Sequence, residues 1–195
     1  MLKTGLIVGS TRQGRFADVV VKWVLEGVAK RDDLELTVLD LREFPLPFFN
    51  EPIPPSANEG VFTDPAAAAW AKRIGALHAF IAIAPEYNHG PTAVLKNAFD
   101  SALREWHRKP IAFVSYGGVG GARAIEQLRG VAVELQMAPI KHEVNVGMEP
   151  FLGILRQGRS LNDYGYLAQT RDVMLDHLVW WGEVLHAGRS RNVAA

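Results

Sequence analysis

The chain predicts an open, doubly wound α/β sheet, in which parallel strands carry helices on both faces. Three observations predict it. Short apolar runs recur at residues 2–8, 34–39, 79–84, 111–115 and 139–146. Segments with apolar residues at helical spacing alternate with them. The runs ending at Val8, Ala84 and Ser115 each stop at a loop rich in glycine, proline or small polar residues. Ligands of such sheets bind beyond the carboxyl ends of the strands. The length, 195 residues, suits one domain over residues 1–195 with a sizeable core.

The elements follow in order. Residues 2–8 read as a buried parallel strand. Phe16, Val19, Val20, Trp23, Val24, Gly27 and Val28 then share a helical face. The second strand ends at Asp40. Pro45, Pro47, Pro52, Pro54 and Pro55 exclude regular structure from the stretch that follows. Its Leu46, Phe48 and Phe49 either pack on the edge of the core or wall a ligand pocket or subunit contact. Asp64 as N-cap and Pro65 in the first turn open the next helix, which buries Trp70, Ile74 and Leu77. The third strand leads to a helix over residues 91–106, the fourth to a helix that aligns Ala124, Leu128, Val131 and Leu135. The fifth strand, residues 139–146, precedes an irregular stretch containing Gly147, Pro150, Gly153 and Gly158. A last helix over residues 167–186 places Leu167, Met174, Leu178, Trp181 and Leu185 on its core face.

The loop after the first strand, from Gly9 to Phe16, carries the strongest chemical signal. Gly9 and Gly14 allow a tight turn and close approach of a ligand. The helix that follows offers unpaired N–H groups and the positive end of its dipole. Ser10 and Thr11 supply hydroxyls, and Arg12 and Arg15 two cations. The combination suits a phosphate. The glycine spacing matches a nucleoside-triphosphate loop, but Arg15 and Phe16 stand where Lys and Ser or Thr are required. The usual magnesium ligand is therefore missing. A dinucleotide fingerprint is absent after the first strand, and Arg123 spoils the partial match at Gly118 and Gly120. A phosphate monoester fits better. Each charge-assisted bond from the arginines contributes on the order of 1.5–3 kcal/mol.

The other two loops add a ring to that phosphate. Pro85, Glu86, Tyr87 and Asn88 provide consecutive backbone groups around an aromatic side chain. Ser115, Tyr116, Gly117 and Gly118 let a flat ligand come close. Planar heteroaromatic rings lie against such walls. His89 and Glu86 are conceivable proton carriers, or else exposed loop residues. Lys96 and Asp100, four apart, form a helix-surface or subunit-contact pair.

Composition removes other classes. Positive and negative residues balance at 21 each, which argues against nucleic acid or an acidic membrane as partner. There is no cysteine, so thiol redox chemistry and Cys-metal sites are excluded. The histidines show no zinc-binding spacing, and no metal site is expected. No run has the length of a membrane span, and the first apolar run is too short for a signal peptide; a cytoplasmic location is the expectation.

Three motifs in order now resemble one family. The segment Gly9-Ser10-Thr11-Arg12-Gln13-Gly14-Arg15 resembles its GSxRxxS/R phosphate loop. Pro85-Glu86-Tyr87-Asn88, Gly90-Pro91 and Leu95-Lys96-Asn97-Ala98-x-Asp100 resemble its second signature, and Ser115-x-Gly117-Gly118-x-x-Gly121 its third. The family is that of NAD(P)H-dependent FMN reductases, and the resemblance covers about residues 2–145. It implies a flavodoxin-like fold with strand order 2-1-3-4-5, which brings the three loops together. It implies FMN as bound cofactor and NADPH or NADH as co-substrate. The cofactor-binding set is then Ser10, Thr11, Arg12, Gly14, Arg15 and Phe16, with Pro85, Glu86, Tyr87, Asn88, Ser115, Tyr116, Gly117 and Gly118. Hydride passes at flavin N5, so no catalytic side chain is assigned. The acceptor implied is a quinone, azo compound, free flavin or oxidised metal ion. A homodimer or homotetramer is also implied, with Phe48, Phe49, Phe99 and Trp106 suited to the contact. The chain departs from many members at Arg15 and Ala17, where they carry Ser and Asn. An electron carrier or redox sensor without its own acceptor is the alternative, and a nucleotide-binding regulatory domain a third reading.

Overall fold

In the computed structural model, which describes residues 1–191, β1 (Leu2–Val8) lies near the middle of the sheet. β2 (Leu34–Asp40) pairs on one side of it and β3 (Ala79–Pro85) on the other, both parallel. β4 (Pro110–Tyr116) follows β3. Every residue of β3 and β4 is buried, as continuous apolar runs in a parallel sheet require. The order is β2-β1-β3-β4-β5, the flavodoxin-like order that the resemblance implied.

The strands alternate their side chains between two cores. Leu6, Val8, Ile81, Ile83 and Val114 face α1 (Ala17–Val28) and α6 (Gly165–Arg189). Ile7, Phe80, Ala82, Ile111 and Phe113 face α2 (Pro65–Gly75), α3 (Ala93–Asp100) and α4 (Ala122–Glu134). Asp64 caps α2 as its sequence predicts, accepting from the amides of Ala66 at 2.8 Å and Ala67 at 3.0 Å.

Several expectations are corrected. The fifth strand is two short pieces, β5 (Ala138–Pro139) and β6 (Val144–Val146), both parallel to β4. Arg129 takes the carbonyls of Ile140 and Lys141 at 2.8 and 3.1 Å, and pairs with Glu143 at 2.5 Å, so the segment between them leaves the ladder. The stretch read as irregular contains α5 (Met148–Gln157). Its Pro150 sits in the first turn, where the N–H has no helical acceptor to lose. The helix predicted over 91–106 stops at Asp100, and a 3-10 turn (Arg104–Trp106) follows. Phe99 and Trp106 are 1 % and 0 % exposed and fill the core instead of a subunit contact. Trp181 faces outward at 37 % exposure, because Gly182 takes the inward position: a Cβ there would lie 2.3 Å from Leu2. Val19, placed on the apolar face of α1, is also exposed. Among the described residues, no helix is long and apolar enough to cross a membrane, and no group of three or more potential metal ligands gathers.

Candidate functional site

The chain leaves β1 at Gly9 and passes directly beneath α3. The Gly9 amide donates to the Ile83 carbonyl at 3.0 Å, and a Cβ on Gly9 would sit 2.5 Å from that oxygen. Glycine is required here by the approach of β3 and α3, not by a ligand. Thr92, the N-cap of α3, donates its hydroxyl to the Gly9 carbonyl at 2.6 Å and so ties the first loop to that helix. From Ser10 to Phe16, no backbone N–H has an acceptor among the described residues. These donors run into the first turn of α1, whose N-cap, Phe16, makes no side-chain bond. An anion is the natural partner for such a run.

The two arginines of this loop have different fates. Arg12 is exposed and makes no hydrogen bond or ion pair among the described residues. Arg15 is buried, with Nη1 2.9 Å and Nη2 2.5 Å from the two carboxylate oxygens of Asp40 at the end of β2. Its Nε donates to Asp18 at 2.8 Å, and Nη1 also donates to the Ser10 carbonyl. Arg42 reaches the same Asp40 carboxylate at 2.7 Å. Burial alone raises the Asp40 pKa, but hydrogen bonds from Arg15 and Arg42 outweigh it and hold the carboxyl well below the usual range. The sequence offers Arg15 as a second phosphate cation; the fold spends its charge on Asp40 and its reach on the backbone of the loop.

The second loop is a tight turn. Tyr87 and Gly90 exchange backbone bonds at 2.9 and 3.0 Å around Asn88 and His89, both at positive φ. Glu86, conceived as exposed or as a proton carrier, has a buried side chain. Arg123 donates to it from Nε at 2.7 Å and from its backbone N–H at 3.2 Å, and these bonds hold the Glu86 carboxyl below the ordinary value. Arg123 also meets His89 Nε2 at 2.8 Å. In the third loop Ser115 is fully buried and donates to the Gly120 carbonyl at 2.5 Å, while Asn145 donates to its hydroxyl at 3.1 Å. Gly117 has φ +155°, and a Cβ there would press on Glu86 at 3.1 Å.

Two adjoining cavities result. One, about 160 Å³, is lined by Arg12, Arg15, Phe16, Pro85, Glu86, Tyr87, Tyr116, Gly117 and Phe151. The other, about 340 Å³, is lined by Ser10, Thr11, Arg12, Tyr87, Thr92, Ala93 and Val94. Arg12 and Tyr87 belong to both. Gly14, Asn88, Ser115 and Gly118 line neither: Ser115 is buried at the end of β4, and the other three are exposed in the loops. The rings of Phe16, Tyr116 and Phe151 form a cluster, with centroids 4.7 Å apart for Phe16 and Phe151 and 5.1 Å for Phe16 and Tyr116. Burial, with Tyr87 nearby, pushes the Tyr116 phenol up to about 12, so it stays protonated. Phe151 comes from α5, which the sequence reading passed over. Its signal was present: an acidic first turn at Glu149, then Phe151, Leu152, Ile154 and Leu155, then Gly158 as a left-handed cap. Thr92, Ala93 and Val94 were also not assigned to the site.

The cavities therefore join Arg12 and a run of amides, none of them paired among the described residues, to an aromatic-walled slot. That donor set suits a phosphate monoester carrying a planar ring. Comparison with known proteins agrees. The family model of NADPH-dependent FMN reductase matches residues 2–150. An NAD(P)H-dependent FMN reductase of Schizosaccharomyces pombe is 36 % identical over 132 residues, covering 68 % of this chain and 66 % of its own length. An NAD(P)H:quinone oxidoreductase of Solanum tuberosum is 31 % identical over 173 residues, 86 % of this chain and 83 % of that one. The structure of FerB, a flavoenzyme NAD(P)H:(acceptor) oxidoreductase from Paracoccus denitrificans, has the same fold. Its TM-score is 0.73 at 23 % identity, over 93 % of this chain and 98 % of that one. The chain belongs to the NADPH-dependent FMN reductase family.

Proposed function

We propose that this protein is an FMN-dependent oxidoreductase that takes reducing equivalents from NADPH or NADH and delivers them to a small acceptor of the quinone, azo, free-flavin or oxidised-metal class. FMN, when bound, supplies reversible hydride and electron chemistry that no side chain of this chain offers. The observation that carries the reading is Arg12, which has no hydrogen-bond or ion-pair partner among the described residues, beside amides at residues 10–16 that have no acceptor among them and next to the cavity walled by Phe16, Tyr87, Tyr116 and Phe151. Arg12 and the amides would hold the phosphate. Arg15 keeps the loop in shape from behind, through Asp40 and the Ser10 carbonyl. Tyr87, Tyr116 and Phe151 would border the ring. Glu86, ionised and paired with Arg123, fixes the second loop and carries no proton at neutral pH. Relatives named as FMN reductases and quinone oxidoreductases support the acceptor class. Titration of the apoprotein with FMN tests the reading: saturable binding at one FMN per chain, with the visible spectrum of a bound flavin, supports it, and no binding overturns it.

We assign the whole chain to one FMN-binding domain acting in the cytoplasm as a homodimer or homotetramer. Support for assembly lies in the loop beside α3. Phe48 is 79 % and Phe49 38 % exposed, and Asn97 of α3 clamps this loop through Phe49 N–H at 2.9 Å and the Pro47 carbonyl at 2.8 Å. A rigidly held exposed aromatic pair suits a partner surface. Light scattering on a sizing column is expected to give a multiple of 21.5 kDa; a monomer at micromolar concentration contradicts it.

A further inference from the structure

One helix holds the second loop. Arg123 and Gln127, four apart on α4, share a face and reach it together. Gln127 donates to the His89 carbonyl at 2.6 Å, and a Cβ on Gly90 would lie 3.1 Å from the Gln127 side chain. Arg123 makes the larger set of bonds. Its Nε donates to Glu86 Oε1 at 2.7 Å, Nη2 donates to the same oxygen, and Nη1 meets His89 Nε2 at 2.8 Å. Its backbone N–H donates to Glu86 Oε2 at 3.2 Å. That N–H belongs to the first turn of α4, whose N-cap, Gly121, makes no side-chain bond. Glu86 thus caps the helix from a neighbouring loop, where a carboxylate meets the positive end of the dipole.

The charge balance here is local. The Glu86 side chain is 4 % exposed and lines the aromatic-walled slot, and Arg123 stands behind it at 39 % exposure. The other charged or titratable groups on the slot are Arg12, Arg15, Tyr87 and Tyr116, with the exposed His89 in the same loop as Glu86. Arg15 is committed to Asp40 and Asp18, and Arg12 is the proposed phosphate cation. Arg123 is the cation paired with Glu86. The third loop fixes the same residue: the Glu86 N–H donates to the Tyr116 carbonyl at 3.1 Å, and Gly117 lies against the Glu86 Cβ.

We propose that Arg123 is a positioning residue that, acting through Glu86, keeps the wall of the ring slot electrically balanced and so sets the reduction potential of the bound flavin. The inference rests on the FMN reading. Hydride brings two electrons and one proton from the nicotinamide, which becomes NAD(P)⁺, and adds one net negative charge to the ring. A buried carboxylate without its cation opposes that added charge, and a paired one does not.

Midpoint potentials of the FMN-loaded wild type, Arg123→Met, Arg123→Lys and the double variant Arg123→Met/Glu86→Gln test this from pH 6 to 9. Arg123→Met is expected about 30 mV below wild type at pH 9, a tenfold loss in the two-electron reduction equilibrium. The gap should close toward pH 6, as the orphaned Glu86 takes up a proton. Arg123→Lys keeps the charge without the fork and should follow the wild type, as should the double variant. An Arg123→Met profile that matches wild type, a gap that persists in the double variant, or Arg123→Lys behaving as Arg123→Met overturns the proposal.

The apoprotein supplies an arm that needs no flavin. Without Arg123, burial raises the folded Glu86 carboxyl above its unfolded value of about 4.3, so stability is retained below that value and lost as pH rises. In urea unfolding, Arg123→Met should therefore lose stability relative to the double variant between about pH 5 and 8. A constant difference contradicts the pairing on which the proposal stands. A wild type that binds no FMN defeats the reductase reading; a flavin that binds and is reduced, with unshifted potentials in Arg123→Met, defeats this inference alone.

Discussion

Arg15 and Asp40 form two parallel hydrogen bonds, 2.9 and 2.5 Å long, between side chains that are 2 % and 11 % exposed. The pair fastens the loop after β1 to the end of β2. It also separates two arginines that the sequence presents as equals: Arg15 is paired with Asp40, and Arg12 has no partner among the described residues.

Arg12→Ala is therefore expected to weaken FMN binding by about tenfold or more, through loss of a charge-assisted bond worth about 1.5–3 kcal/mol. Its effect on apoprotein stability should stay within about 0.5 kcal/mol, as for exposed substitutions without partners. Fluorescence titration and thermal unfolding of the apoprotein measure the two effects separately.

Arg15→Ala should show the opposite balance. It removes a buried partner of Asp40, but Arg42 still reaches that carboxylate at 2.7 Å. The expected loss is about 1–3 kcal/mol, below the full cost of orphaning a buried charge. Unfolding of the apoprotein in urea checks it.

The same pair sets an acid dependence. The folded pKa of Asp40 is depressed, so its contribution is fully present above the unfolded value, about 4, and fades as pH falls through the folded one. In Asp40→Asn that contribution is absent at every pH. The stability gap between wild type and Asp40→Asn should be constant from pH 5 to 7 and narrow below about pH 4. Thermal melts across that range read it directly.

Phe151→Ala removes a ring 4.7 Å from Phe16 and part of the wall shared with Tyr116 and Tyr87. Aromatic pairs of this kind contribute about 0.5–1.5 kcal/mol each beyond area burial. FMN affinity should fall by about threefold to tenfold, and Phe151→Tyr should restore most of it. A titration of both variants decides whether α5 belongs to the site.

Much of this was legible in the sequence, and what was not has physical causes. Continuous apolar runs such as residues 79–84 identify buried parallel strands, and Asp64-Pro65 marks a helix start from local chemistry alone. Strand order came only through resemblance, because periodicity carries no long-range pairing. α5 was hidden by Gly147, Pro150, Gly153 and Gly158, although Pro150 is harmless in a first turn. Trp181 was misplaced because the inward position belongs to a glycine packed against Leu2. Within the site, loop positions were readable and side-chain allegiance was not. The partner that claims Arg15 lies 25 residues away, at the end of another strand. Phe99 and Trp106 could not be sorted between core and surface before α3 was seen to end at Asp100.

The most direct measurement is anaerobic rapid mixing of the FMN-loaded protein with NADPH or NADH, followed by mixing with a quinone. Loss of flavin absorbance on the first mix, full recovery on the second, and steady-state NAD(P)H oxidation at matching rates are the predicted result. A flavin that binds tightly but is not reduced by either nicotinamide would contradict the reductase reading and leave a carrier that needs a protein reductase.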